Sequence, residues 1–162
     1  MADAYTQQLH EWLQHEEAVH FIETTFAIFH TCDDITDGDK QVSVALVQDA
    51  FLAALVTLPR NPFYMTHFAQ LNTVIHLAIV NWQVANRLET SAVQHGKHLA
   101  YVLRSSYVDL VTMCAMILYG TEKATKIAYE ARISAAREGF DTYLARLRTE
   151  HRSSILIEGH HA

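Results

Sequence analysis

Residues that break helices are scarce in this chain, and this scarcity restricts the fold more than any other feature of the sequence. The 162 residues include only five glycines and two prolines, and both prolines lie close together, at Pro59 and Pro62. Folds built from many short strands need glycine or proline at most of their turns, whereas long helices need few. The sequence therefore predicts an all-α fold, an antiparallel bundle of five to six helices.

The apolar content is sufficient for one full-sized core. Hydrophobic residues make up 50% of the chain, and a chain of this length ordinarily folds as one domain. We expect a single helical domain over residues 1–154. Residues 155–162, which end in Gly159-His160-His161-Ala162, are expected to be a frayed terminus with the remnant of an engineered histidine tail.

Helical periodicity and capping residues predict where the helices lie. The predicted ranges are 4–34, 43–58, 62–90, 97–119 and 121–148, and a break in the third near 70–72 would make six helices. Ser43 is placed to cap the second helix, and Gly120 is placed to end the fourth. The second half of the first helix, 19–32, is apolar on nearly every side, so it either crosses the core or forms the seam of a homodimer.

Charge and composition argue against several classes of function. The formal net charge is −6 and no segment forms a basic stripe, so nucleic-acid binding is not expected. Cys32 and Cys114 lie far apart, which is typical of reduced thiols in an intracellular protein. We see neither a signal peptide nor an uncharged run long enough to cross a membrane, so we expect a cytoplasmic protein.

A cluster of carboxylates follows the apolar stretch 21–29, and it is the one feature that indicates chemistry. Four aspartates lie within seven residues, at Asp33, Asp34, Asp37 and Asp39. Negative charge near a helix C-terminus opposes the helix dipole, so a compensating metal ion, arginine or water-filled cleft is expected nearby. Asp33 and Asp37 share a helix face, and carboxylate oxygens in this arrangement suit Mg²⁺. The alternative is a solvated acidic turn that binds no ligand.

A second polar segment lies at 81–89, near the end of the third helix. Asn81, Ala85 and Glu89 are spaced by one helical turn each. An amide oxygen and a carboxylate two turns apart could hold a second Mg²⁺. The alternative is an ordinary exposed helix end.

A third polar segment interrupts the apolar fourth helix at Arg104, Ser105 and Asp109. Arg104 could bind a phosphate through two hydrogen bonds, which makes Arg104 and Asp109 candidate substrate-binding residues. Arg104 could equally neutralise the aspartates of the first helix in a buried ionic network, and such networks can be purely structural. The sequence leaves both interpretations open.

Two of these segments resemble the motifs of a known family. Asp33-Asp34-Ile35-Thr36-Asp37, at the inner end of an apolar helix, resembles the aspartate-rich motif of class I isoprenoid (terpenoid) synthases, and segment 81–89 resembles, in spacing, their second metal motif. The resemblance implies an isoprenoid-synthase-like bundle that binds Mg²⁺ ions and a prenyl diphosphate. The residues it implies are Asp33, Asp34 and Asp37 as ligands of the first motif, Asn81 and Glu89 as ligands of the second, and Arg104 as a diphosphate contact.

The chain is also similar to small helical proteins of tailed bacteriophages. The similarity lies in His30-x-x-Asp-Asp-x-x-Asp-Gly-Asp-Lys40 and in Asn61-Pro62-Phe63-Tyr64. It implies a viral source and the host cytoplasm, and it carries no activity with it.

Two functional hypotheses follow. The first is a Mg²⁺-dependent protein that binds a diphosphate-bearing small molecule, with metals that polarise the leaving group and with catalytic residues unknown. The second is a non-enzymatic phage accessory or interaction protein whose acidic cluster is a structural ion-pair network; Ala85, at the place of the family's hydroxyl ligand, favours it. Convergence of Asp33, Asp37 and Glu89 on a cleft would support the first hypothesis. Their pairing with Arg87 or Arg104, without a cavity, would support the second.

Overall fold

The structure, a computed structural model, describes residues 2–37 and 41–148. Within these ranges the chain is helical apart from short turns, which confirms the predicted all-α class. The predictions made for Gly38, Asp39 and residues 155–162 lie outside the described residues, as does the side chain of Asp37.

The helices follow one another with short connections. In chain order they are α1 (Ala2–Leu13), α2 (Glu16–Asp37), α3 (Val44–Leu52), α4 (Leu58–Arg60), α5 (Pro62–Thr66), α6 (Phe68–Glu89), α7 (Gly96–Arg104), α8 (Val108–Tyr119), α9 (Thr121–Ala135) and α10 (140–148). A π-helical turn, Ala53–Thr57, joins α3 to α4, and a 3₁₀ turn, Ala136–Glu138, follows α9.

The predicted first helix, 4–34, is divided in the structure into α1 and α2. The break lies at Gln14, whose φ of 47° is left-handed and cannot continue a right-handed helix. The Nδ1 atom of the next residue, His15, accepts a hydrogen bond from the backbone N–H of Ala18 at 3.3 Å and so caps the start of α2.

The predicted second helix, 43–58, continues two residues further than expected, to Arg60. Ser43 caps its start as predicted, because its hydroxyl oxygen accepts from the N–H of Leu46 at 3.2 Å. Pro59 does not end the helix. The π turn directly before it widens the backbone where a proline ring would otherwise meet the carbonyl four residues earlier.

The other three predicted helices are also interrupted. The third is broken at His67 rather than near 70–72. In the fourth, the hydroxyls of Ser105 and Ser106 donate to carbonyls three residues earlier, at 2.8 and 2.7 Å, and so compete with the helical hydrogen bonds. In the fifth, Gly139 adopts a φ of 72°, which a glycine tolerates, and turns the chain into α10.

The main core lies where α1 and α2 pack against α8 and α9. Its fully buried side chains include Leu9, Leu13, Phe21, Ile22, Val111 and Cys114. Each large apolar side chain of this kind contributes roughly 1.5–3 kcal/mol by leaving water. Of the stretch 19–32, for which the sequence allowed a core position or a dimer seam, Val19, Phe21 and Ile22 belong to this core.

A smaller core joins α6, α7 and α10. Ala85, Ala100 and Tyr143 are buried together in it. Because the two alanines have short side chains, the tyrosine ring has room between the helices. This packing brings residues from three distant segments of the chain to one place.

None of the helices within residues 2–37 and 41–148 is by itself long and apolar enough to span a membrane. Helices α7 and α8 have the required composition only when taken together, and the chain bends by 45° between them.

Candidate functional site

The three polar segments that the sequence singled out meet at the side chain of Arg104. Its Nε and Nη2 atoms donate to the two carboxylate oxygens of Glu89 at 2.8 and 2.7 Å. Its Nη1 atom donates to Oδ1 of Asp33 at 2.9 Å. One guanidinium group therefore joins α2, α6 and α7, and the paired contact with Glu89 is the strongest geometry available to an arginine and a carboxylate.

Two aromatic residues complete this group, which we call the Arg104 cluster: Arg104, Asp33, Glu89, Trp82 and Tyr143. The indole Nε1 of Trp82 donates to Oδ1 of Asp33 at 2.7 Å, and the hydroxyl of Tyr143 donates to Oε1 of Glu89 at 2.5 Å. Burial, and secondarily the hydrogen bond to Glu89, raises the pKa of Tyr143 well above its usual range. Tyr143 therefore stays protonated and donates to the carboxylate.

The positions of these residues along their helices explain why they attract one another. Glu89 is the last residue of α6, and Asp33 lies one turn before the end of α2, so both carboxylates oppose a helix dipole. Arg104 is the last residue of α7, where positive charge is favourable. Arg104 thus supplies compensating positive charge of the kind that the acidic cluster led us to expect.

Burial differs across the cluster. The side chains of Arg104 and Glu89 are only 18% and 10% exposed, whereas that of Asp33 is 35% exposed. Arg104 and Glu89 are thus an inner pair, and Asp33 is the member that meets solvent.

The other predicted metal ligands occupy different positions. Asp34 is half-buried and makes other contacts, while Asp37 ends α2. Asn81 is half-buried on α6 and lies outside the Arg104 cluster. It lies two helical turns before Glu89 on the same helix.

The arrangement of donors can be compared with the needs of Mg²⁺. Among the residues that the structure describes, no three His, Cys, Asp or Glu side chains are grouped to hold a metal ion. Both oxygens of Glu89 and one oxygen of Asp33 face the guanidinium group of Arg104. A Mg²⁺ ion that bound these same three oxygens would have to displace the arginine from them.

Asp109, the second candidate for substrate binding, belongs to a different ion pair. Nη2 of Arg132 on α9 donates to Oδ1 of Asp109, and Nη1 of Arg132 donates to the carbonyl oxygen of Ser105 at 2.9 Å. The third polar segment is therefore split. Arg104 joins α2 and α6, while Ser105 and Asp109 join α9.

An apolar cavity of about 390 Å³ lies beside the Arg104 cluster. Its walls come from the second half of α2, from α6, and from the end of α7 with the turn that follows it. They include the aromatic side chains of Phe26, Phe29, Trp82 and Tyr107. The rings of Phe26 and Tyr107 meet edge to face, with centroids 4.4 Å apart. Polar groups at the cavity wall include Asp33 and Arg104. Of the carboxylates named in the two conditions set out above, Asp33 and Glu89 pair with Arg104, and Asp33 also lines the cavity.

Sequence reasoning missed the two aromatic members of the cluster. Trp82 precedes Glu89 by seven residues, or two helical turns, so helical spacing alone could have placed both on one face. Tyr143 carried no such signal, because its position depends on how α10 packs against Ala85 and Ala100.

Comparison of the chain with protein-family models, curated proteins and solved structures gives no match.

Proposed function

We propose that this protein is a non-enzymatic interaction protein that pairs with a second copy of itself through α3, and that the Arg104 cluster is a structural ion-pair network. The observation that supports this proposal is the state of the segment formed by α3 and the π turn. None of its fourteen residues is buried, although most are apolar. A helix of this composition normally derives its stability from packing an apolar face against something.

The exposed side chains of this segment are arranged in a stripe. Val44, Gln48, Phe51 and Leu55 recur at alternating spacings of four and three residues, which is the pattern of a helix that packs against another helix. Val44, Phe51 and Leu55 are 74%, 64% and 70% exposed. We call these four residues the α3 stripe.

A second copy of the chain is the occupant that this stripe fits best. A two-fold axis places the same patch of both chains face to face, so the apolar stripe meets an identical apolar stripe. Asp49 is the one charged residue in residues 44–57, and it does not belong to the stripe. Gln48, within the stripe, is the kind of polar residue that fixes the register of paired helices.

The exposed area is of the right order for a weak dimer. The α3 stripe together with Leu52 exposes roughly 500 Å² of mostly apolar surface, which is as large as the biggest patches that monomers leave uncovered. Two such patches bury about 1,000 Å² in total, which is the lower limit for a specific interface.

The Arg104 cluster supports the non-enzymatic part of the proposal. It satisfies its carboxylates from within the chain and ties α2, α6, α7 and α10 together. These contacts give the acidic residues a structural role that requires no substrate.

Sedimentation velocity over a range of micromolar concentrations tests self-association. We expect dimers for the wild type and monomers for Phe51→Glu, because the new carboxylates would face each other across the two-fold axis. Ile133→Glu on α9, where Ile133 is 59% exposed, is the matched control and should stay dimeric. A monomeric wild type, or a Phe51→Glu variant that remains a dimer with native circular dichroism, would contradict the proposal.

Mg²⁺-dependent diphosphate binding within an isoprenoid-synthase-like bundle is the second proposal, and the cavity beside Asp33 favours it. Ligands that bind only the folded state raise the melting temperature. The test is to add Mg²⁺ and inorganic pyrophosphate to the wild type and to the double variant Asp33→Asn, Asp37→Asn. A rise in the wild type that the double variant lacks would establish this second function. An unchanged melting temperature agrees with the interaction protein.

A further inference from the structure

We propose that the cavity beside the Arg104 cluster binds a small apolar molecule that ends in a cationic amine, with the amine at Asp33. This site is separate from the α3 stripe. Its volume of about 390 Å³ lies within the range of roughly 300–1,000 Å³ that is usual for small-molecule sites. The proposal depends on the lining of the cavity, on the charges at its wall and on the exposure of Asp33.

The lining favours an apolar body. Most of the wall is formed by aliphatic and aromatic side chains, among them Ile28, Phe29, Ile79 and Leu103. Ile79, on the α6 wall, is 39% exposed, so an apolar ligand would cover surface that is now wet. Removal of this surface from water provides the non-specific part of the binding energy.

The charges at the wall favour a positive end group. Arg104 carries one positive charge and, among the contacts that the structure describes, pairs with two carboxylates, Asp33 and Glu89, so these three side chains together have an excess of one negative charge. A ligand ammonium would bring them to neutrality. An anionic end group would compete with Glu89, which holds the guanidinium through two hydrogen bonds.

Asp33 is the group best placed to receive the amine. It lines the cavity, and its side chain is 35% exposed, whereas Glu89 is only 10% exposed. The hydrogen bonds from Arg104 and Trp82 both reach the same oxygen, Oδ1.

Two residues that line the cavity, Cys32 and Trp82, can report whether a ligand is bound. Cys32 is exposed and lines the cavity, while Cys114, the only other cysteine, is fully buried. A thiol reagent should therefore report on Cys32. Trp82 also lines the cavity, whereas the second tryptophan, Trp12, is buried where α1 meets α9.

The experiment compares three probes that share one alkyl chain and differ in the end group: decylamine, decanol and decanoate. Each is titrated below its micelle concentration, and tryptophan fluorescence and the rate of Cys32 modification are followed. We expect decylamine to bind at least about tenfold more tightly than decanoate, with decanol between them, and to slow Cys32 modification by about fivefold or more. Equal affinity for decylamine and decanoate, or no binding by any probe, would overturn the proposal.

Three variants test where the probes bind, and whether the charge of Asp33 or the shape of the cavity determines their affinity. Asp33→Asn should weaken decylamine binding about tenfold and leave decanol unchanged. Asp109→Asn is the matched control, because Asp109 has a similar exposure of 39% and neither Asp109 nor its partner Arg132 lines the cavity. Ala78→Leu, which places extra bulk on the buried wall, should weaken all three probes.

Two further outcomes bear on the proposal. An Asp33→Asn variant that binds decylamine as the wild type does would contradict the assignment of the amine to Asp33. If Asp33→Asn does not fold, the order of the three probes on the wild type and their loss in Ala78→Leu decide the question. Phe51→Glu should bind decylamine normally, so failure of the dimer and failure of the cavity site are distinguishable.

Discussion

Arg104 is the residue on which the polar interior depends most. Replacement by methionine keeps a long unbranched side chain and leaves Glu89, which is nearly buried, without its cation. Breaking a buried pair by removing one partner costs about 3–5 kcal/mol, and we expect about 3 kcal/mol because Asp33 is exposed enough to be solvated. Urea denaturation measures this loss as a lower midpoint with an unchanged slope.

Lys126→Met is the control for Arg104→Met. Lys126 pairs with Glu122 one turn away at 3.3 Å, and both side chains are largely exposed. An exposed pair of this kind contributes at most about 0.5 kcal/mol. A cost below 1 kcal/mol for Arg104→Met, similar to the control, would mean that the Arg104 cluster is not structural.

Four tyrosines should resist ionisation in the folded protein. Burial raises the pKa of Tyr5, Tyr64, Tyr107 and Tyr143, and the neighbouring Tyr107 and Glu89 raise the pKa of Tyr5 and Tyr143 further. In the unfolded chain these groups ionise near pH 10. Below about pH 10 these tyrosines are protonated in both the folded and the unfolded state, and the free energy of unfolding keeps its full value. Above about pH 10 the unfolded chain binds fewer protons than the folded protein, so the free energy of unfolding falls as the pH rises.

Absorbance of tyrosinate checks this prediction. Of the seven tyrosines, four should keep their protons above pH 10 for as long as the far-UV circular dichroism is native, and should ionise together with unfolding. Concentrated urea should abolish the difference. Ionisation of all seven near pH 10 in the folded protein would contradict the assigned burial.

The Arg104 cluster shows how far residue-level reasoning reaches from the sequence. The need for a cation near Asp33 follows from negative charge at a helix end, and Arg104 was one of the candidates. The choice between an arginine and a metal depends on how α2, α6 and α7 cross, which local sequence does not encode. Tyr143 was missed for the same reason, since its contact with Glu89 spans 54 residues.

At the scale of the helices, Asn61 joins two elements with one side chain. Its Oδ1 accepts from the N–H of Tyr64 at 2.9 Å and caps α5, and its Nδ2 donates to the carbonyl of Glu17 in α2 at 2.9 Å. Asn61 is buried. Asn61→Ala should cost about 2–3 kcal/mol, because it removes both the cap of α5 and the hydrogen bond to α2 from a buried position.

Asn61→Asp distinguishes the contribution of the cap from that of the hydrogen bond to Glu17. Thermal or urea denaturation measures the loss of stability in Asn61→Ala and in Asn61→Asp. Aspartate keeps the cap but cannot donate to Glu17, so a cost of about 1–2 kcal/mol is expected. Ser43→Ala removes an exposed cap of α3 and should cost about 1 kcal/mol or less. If Asn61→Ala is no more harmful than Ser43→Ala, the tie to α2 contributes nothing.

The sequence predicted where helices lie better than it predicted where they are interrupted. Ser43 and Gly120 act as caps where the sequence placed them, because serine and glycine have strong terminal preferences. Gln14 breaks the first helix without such a preference, and this left-handed residue joins two helices, α1 and α2, whose apolar side chains share one core. The second helix ends two residues later than expected, at Arg60, because a π turn accommodates Pro59.

At the scale of the whole molecule, the buried surface is distributed unevenly. The core between α1, α2, α8 and α9 is dense, whereas α3 and the π turn contribute no buried residue to it. Composition could predict an all-α domain, but it could not predict which apolar helix stays outside the core. That difference links the fold to the proposed function, because the segment left uncovered is the one that a second copy would cover.

Self-association through the α3 stripe should make thermal stability depend on protein concentration. A partner that binds only the folded state stabilises it by mass action. For a two-chain equilibrium in a domain of this size, we expect the melting temperature to rise by about 2 °C for each tenfold increase in concentration. Calorimetry of the wild type and of Phe51→Glu measures this slope. Phe51→Glu should give a flat line and Ile133→Glu the wild-type slope, and a flat line for the wild type would show that the α3 stripe stays uncovered.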